Sequence, residues 1–85
     1  MKRAYAIVVR RAKGNYSADC PDLPGCIATG RTIDETLRRM RSAIRFHTDG
    51  LRTLRLPIPR PTTKLSTLVK QQGPDHVYAV VQVAA

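Results

Sequence analysis

The sequence predicts an α+β domain in the order strand, strand, strand, helix, strand. Three observations carry this. Apolar residues alternate in four short stretches, the period of strands with a buried face. One long stretch from Thr32 repeats its apolar residues at steps of four and three, the period of a helix. A Gly14-Asn15 turn and a Pro21–Cys26 turn separate the first three strands at hairpin distance. Two hairpins make strands one to three antiparallel. A crossover helix then lays strand four parallel beside strand one, and such crossovers are almost always right-handed. The expected sheet order is 3-2-1-4, with one long helix on one face. At 85 residues, the chain is a single domain, 1–85.

Met1-Lys2-Arg3 is a basic start. Ala4 to Val9 is strand one. Tyr5, Ile7 and Val9 face one side, and Ala4, Ala6 and Val8 the other. Both faces are apolar, which suits a central strand covered on both sides. Arg10 to Asn15 is a basic hairpin loop. Strand two places Tyr16, Ala18 and Cys20 on one face. Pro21-Asp22-Leu23-Pro24-Gly25-Cys26 ends it as a tight, rigid turn. Each proline lacks a backbone donor and fixes its own φ, and Gly25 takes φ > 0 without steric cost. Cys26 to Thr29 is strand three. Gly30-Arg31 breaks it, and Thr32 with Glu35 opens a helix through a capping box.

In that helix Ile33, Leu37, Met40, Ile44, His47, Leu51 and Leu54 form one stripe, broadened by Ala43 and Phe46. His47 reads as a structural histidine. Arg38, Arg41, Arg45, Arg52 and Arg55 form a second stripe, with a Glu35–Arg39 pair beside it. Two readings stand for this stripe: an ordinary solvated face, or a nucleic-acid-binding face with too few acids to balance it. Gly50 weakens the helix by roughly 1 kcal/mol relative to alanine. Pro57, Pro59 and Pro61 end it by Arg55, and Leu56 to Pro61 should be extended. Thr62 and Thr63 are placed to cap a short helix over 64–71, with Leu65, Leu68 and Val69 apolar. Gln72 to Asp75 is a turn. His76 to Val83 is the last strand, and Ala84-Ala85 follows it.

The centre of the chain resembles a known family. Tyr16–Asp19, the Pro21-Asp22-Leu23-Pro24-Gly25-Cys26 turn, the Ala28-Thr29-Gly30-Arg31-Thr32 step and Glu35 are similar to the HicB family. These proteins are the antitoxin halves of bacterial HicA–HicB toxin–antitoxin pairs. The resemblance extends to the early Tyr5 strand, the long helix and Pro57-Ile58-Pro59. It implies a partial ribonuclease H-like fold and a protein partner, a HicA-type toxin that cleaves mRNA, covered sterically rather than by catalysis. It implies no cofactor. Many family members continue into a helix-turn-helix or ribbon-helix-helix domain that binds DNA. Here the expectation is a short form without that domain.

Charge sets a further constraint. Fifteen basic residues stand against six acidic ones, a net charge of +9. Such a balance favours polyanions or an acidic partner, and nucleic acid is the alternative partner. A basic toxin, in contrast, would have to be met through apolar surface and the few acids. Ribonuclease H-type chemistry needs clustered carboxylates, one of them on strand one, to hold two metal ions. No residue before Asp19 is acidic, and Asp19, Asp22, Asp34 and Glu35 suit turn and capping roles. Ser17, Ser42 and Ser66 have no patterned histidine partner. The chain is therefore not expected to be an enzyme.

Cys20 and Cys26 flank the turn and read as small buried hydrophobes, because free cysteine is commonly buried; a zinc site would need His47 and His76, whose spacing matches no metal motif. No apolar run is long enough to span a bilayer, no membrane role is expected, and the expected location is the cytoplasm. A chain of this size buries only roughly 60–65% of its unfolded surface, so its core is small. The Ala4, Ala6 and Val8 face, opposite the long helix, is the expected contact of a homodimer or higher homo-oligomer.

Overall fold

Strand pairing sets the frame. The computed structural model describes residues 2–84; Met1 of the basic start and Ala85 after the final strand lie outside them. β1 (Lys2–Ala12) is central, with β2 (Asn15–Asp19) on one side and β4 (Val77–Ala84) on the other. β3 (Ile27–Gly30) pairs with β2, so the order is β3-β2-β1-β4, as expected. α1 (Ile33–Thr53) follows β3, and α2 (Leu65–Gln72) precedes β4.

The alternation in β1 separates two cores. Tyr5, Ile7 and Val9 face α1 and are buried with Ala18, Cys20, Leu23, Cys26, Met40, Ile44, Val81 and Val83. Ala6 and Val8 face the other way and are buried with Leu68 of α2, with Tyr78 packed against them. The molecule is thus three layers: α1, the sheet, and α2. Ala6 and Val8, expected to meet a second subunit, are covered within the chain, while Ala4 stays exposed.

Strand four corrects the expected direction. It runs antiparallel to β1, with Lys2 opposite Ala84 and Val9 opposite Val77. A single crossover helix would have returned the chain parallel. Here the chain passes along the sheet twice between β3 and β4, once as α1 on one face and once as α2 on the other. The second pass reverses the strand, and every strand pair is antiparallel.

The long helix also differs at its far end. It runs through Gly50 to Thr53, with Leu54 as its C-cap. Phe46, expected to broaden the buried stripe, is 82% exposed, and Leu54 is 69% exposed. A helix of 21 residues is about 31 Å long, more than the short strands β2 and β3 can cover. Two threonines take buried positions instead. Thr36 Oγ donates to Thr32 O at 2.7 Å, and Thr48 Oγ to Arg45 O at 3.1 Å. Each hydroxyl returns to a carbonyl of its own helix, so burial leaves it satisfied.

The step from β3 into α1 explains the Thr29-Gly30-Arg31-Thr32 run. The Thr32 side chain accepts from the Glu35 N–H at 3.0 Å, which is half of the expected capping box. Glu35 turns its carboxylate to Arg39 at 2.9 Å, the expected pair. Gly30 lies directly against the first turn of α1. A Cβ there would stand 2.6 Å from Thr36 Oγ1 and 2.8 Å from Thr36 N. Gly30→Ala should therefore destabilise the fold by about 1–3 kcal/mol, seen as a lower urea midpoint. An unchanged midpoint would show that this close approach is not required.

Candidate functional site

The signature turn is built around one carboxylate. Leu23 N–H donates to Cys20 O at 3.1 Å, and Cys26 N–H to Leu23 O at 3.0 Å. Gly25 supplies the positive φ of +84° that closes the turn. Leu23 points inward and is fully buried, while Pro21, Pro24 and Gly25 stay exposed. Asp22 points the other way and binds the segment between the two helices. The backbone N–H groups of Thr62 and Thr63 both donate to its Oδ2 at 3.0 Å. Their hydroxyls donate to Oδ1 at 3.0 and 2.9 Å.

These threonines were expected to cap α2. They do not: Lys64 is the N-cap, without a side-chain cap bond. A carboxylate offers two oxygens to four donors and is a stronger acceptor than a hydroxyl, so it takes them. The same segment is held from its other side. Tyr5 OH donates to Pro59 O at 2.6 Å, and Arg3 donates to Ile58 O at 2.9 Å and Pro59 O at 3.3 Å. Prolines have no N–H to join a ladder, so the carbonyls around them need such partners. Thr62 and Thr63 were the residues that sequence reasoning missed as partners of the turn. Their readable signal was two adjacent hydroxyls directly after the last proline.

Burial works to raise the Asp22 carboxyl, but the four donors outweigh it and hold its pKa below the ordinary carboxylate value. Both cysteines are buried and free. Burial pushes the Cys20 thiol up to about 11 and raises Cys26 as well. Such thiols are poor nucleophiles and poor ligands at neutral pH. Among the described residues no three His, Cys, Asp or Glu side chains stand together as a metal site. Asp19 is paired with Arg10, while Asp34 and Glu35 lie in the first turn of α1.

The arginine stripe divides. Arg52 pairs with Asp49 at 2.9 Å, and Arg55 lies beyond the helix at φ +57°. Arg38, Arg41 and Arg45 remain as an exposed run on α1, and none of the three is in a salt bridge among the described residues. Arg39 is tied to Glu35 and to Thr29 O. The signature turn and the arginine run are therefore two sites. The turn organises the fold, and the run is free charge.

Comparison with known proteins places this arrangement. Residues 5–85 match the family model of the HicB-like antitoxin of bacterial toxin–antitoxin systems. The chain belongs to that family. The N-terminal domain of the Burkholderia pseudomallei antitoxin HicB superposes with a TM-score of 0.85 at 30% identity, covering 96% of this chain and 99% of that one. A chain of the HicA3 and HicB3 toxin–antitoxin complex has the same fold, with a TM-score of 0.74 at 20% identity over 96% of this chain and 99% of that chain. A 14.9 kDa protein from the rep–hol intergenic region of Haemophilus phage HP1 is 27% identical over 79 residues, 93% of this chain. The chain spans 59% of that phage relative's length. No helix among the described residues is long and apolar enough to cross a membrane.

Within this HicB-like fold the turn has a testable load. Asp22→Ala should lower stability by about 1–3 kcal/mol at pH 7, because it removes four hydrogen bonds, two of them to the part-buried Thr63. The sign with pH follows from the lowered carboxyl. Its contribution is present above the unfolded value near pH 4 and is lost as pH falls through the folded value. Urea unfolding of wild type should therefore lose more stability from neutral to acid pH than Asp22→Asn does. Equal losses in the two proteins would remove the charge from this account.

Proposed function

We propose that this chain is an antitoxin that binds a HicA-type, mRNA-cleaving toxin in the cytoplasm and neutralises it by covering its active surface. The observation that carries this reading is the family match over residues 5–85, which runs from within β1 through β4. The like-folded chain of the HicA3 and HicB3 complex supports it. Steric cover asks for a rigid surface rather than a reactive group. The hydrogen-bonded turn, anchored by buried Leu23, and the raised pKa of the buried Cys20 thiol agree with that demand. The test is genetic. Any small open reading frame beside this gene is expressed alone and together with this chain. Toxicity alone and normal growth together are the expected result. A neighbourhood with no toxic partner, or a toxic one that this chain leaves toxic, would overturn the reading.

The unpaired run Arg38, Arg41 and Arg45 favours a second reading, a module that binds nucleic acid through this helix face. Three arginines on phosphates would give a log–log salt slope of roughly −2 to −3 on duplex DNA. The chain has one Phe, three Tyr and no Trp, so stacking of single strands is poorly supported. Replacing the three arginines by alanine should abolish most of that slope. Binding that does not change with salt, or no binding at low salt, would end this second reading.

A further inference from the structure

α1 outruns the sheet, and its exposed side follows a pattern. Arg38, Ser42, Phe46, Gly50 and the C-cap Leu54 come at steps of four, one ridge of the helix surface, and all five are exposed. Arg41 and Arg45 begin the ridge beside it and are exposed as well. One half of this surface is therefore cationic and the other half apolar. Phe46 is 82% exposed, Leu54 69%, and Leu56, just past the helix, 51%. A single exposed leucine is ordinary, whereas three large apolar side chains grouped at one helix end mark a contact surface.

Two details shape the apolar half. Gly50 stands between Phe46 and Leu54 on the ridge. A Cβ there would meet no atom within 4 Å among the described residues, so the ridge has a notch that opens to solvent. Helices pack by seating the side chains of one in the gaps of the other, and a missing side chain lets two backbones approach closely. The end of the helix is also fixed. Leu56 N–H donates to Leu51 O at 2.9 Å, and Arg55 N–H to Arg52 O at 3.0 Å. These two bonds make a Schellman cap, with Arg55 at φ +57° in the place that glycine usually takes. Leu54 and Leu56 are thereby held before anything binds, which lowers the ordering cost of a contact.

Charge narrows the occupant. Arg38, Arg41 and Arg45 have no salt-bridge partner among the described residues, and carboxylates spaced along a partner would meet them. The nucleic-acid reading uses these arginines alone and gives Gly50 and Leu54 no role. An anionic bilayer takes helices whose apolar face runs along their whole length, and here the ridge changes from cation to apolar part-way. A helix with carboxylates towards one end and apolar residues towards the other matches both halves.

We propose that the projecting end of α1 docks an amphipathic helix of an acidic partner protein. Apolar side chains of that helix seat on Phe46 and Leu54, one of them enters the notch at Gly50, and its carboxylates face Arg41 and Arg45. Recognition of this kind is read from anchors at helical spacing. The site does not rest on the toxin reading, and it is tested on the purified chain.

The probe is a synthetic peptide of about 18 residues, or five turns of helix, with leucines at steps of three and four and glutamates elsewhere. Titrated into the isotope-labelled chain, it should shift the α1 amides from Arg38 to Leu54 in a saturable way and leave those of β3 unmoved. Phe46→Ala should weaken binding by about tenfold or more, with the urea midpoint unchanged because the side chain is exposed. Gly50→Gln should weaken binding to a similar degree while raising the urea midpoint, because glycine is the poorer helix former. A peptide of the same composition in scrambled order should bind about tenfold more weakly or worse, since only net charge then remains. No saturable shift at high micromolar peptide would overturn the proposal. So would equal binding of the scrambled peptide, or binding indifferent to both Phe46→Ala and Gly50→Gln. Duplex DNA or phosphatidylglycerol vesicles that cover Phe46 where the peptide does not would assign the surface to another class of partner and overturn it as well.

Discussion

The carboxylate of Asp22 is the point on which the path of the chain depends. Everything before residue 54 can be built from local rules: two hairpins and one long amphipathic helix. After Thr53 the chain must leave the α1 face, reach the opposite face and start a strand in the reverse direction. Three prolines supply stiffness in that stretch but no hydrogen bonds of their own. The four donors of Thr62 and Thr63 meeting Asp22, and the carbonyls of Ile58 and Pro59 meeting Arg3 and Tyr5, fix the segment to the sheet from both sides. A signature turn of this kind acts as an anchor for a distant segment more than as a reactive centre.

The electrostatic picture follows from how few acids there are. Six carboxylates cannot neutralise fifteen cations, so the placement of each acid decides which cations stay free. Asp19, Glu35 and Asp49 each take one arginine. Asp22 is used by neutral donors and takes none. Of the cations left over, Arg38, Arg41 and Arg45 form an exposed run on α1, while β4 has no charged residue. One small domain thus presents a charged helix face and an uncharged strand edge, and these suit different kinds of partner.

Much of the fold was legible in the sequence because its periodicities are clean. The alternation in β1, the turn chemistry at Gly25 and the 4-3 steps of α1 each allow one local structure, and together they give the sheet order. The direction of β4 was not legible, because it depends on how often the chain crosses the sheet. A helix of eight residues at α2 counts as a full pass only once Leu68 is seen to bury against Ala6 and Val8. Phe46 misled because periodicity reports which side of a helix is apolar, not whether a sheet extends beneath it. The arginine stripe was readable as a stripe. Its reduction to Arg38, Arg41 and Arg45 was not, since an Asp49–Arg52 pair and a helix end at Thr53 belong to the folded geometry. The family resemblance was readable from the turn and the Thr-Gly-Arg-Thr step, and the role of those residues became clear only with Thr62, Thr63 and Thr36 in place.

The register of the central strand bears on how the molecule assembles in time. β1 precedes the other elements of this domain in the chain, yet it is completed by β4, with Lys2 opposite Ala84 and Val9 opposite Val77. Loop closure over nearly the whole chain is slow compared with forming the two hairpins and α1. Until it happens, the most apolar strand of the molecule has a bare edge, and the α2 face of the sheet is uncovered. A nascent or clipped chain is therefore open to proteases and to aggregation at this edge, whereas in the folded chain β4 covers it. Protection of the β1 edge in this domain consequently depends on how firmly β4 is held.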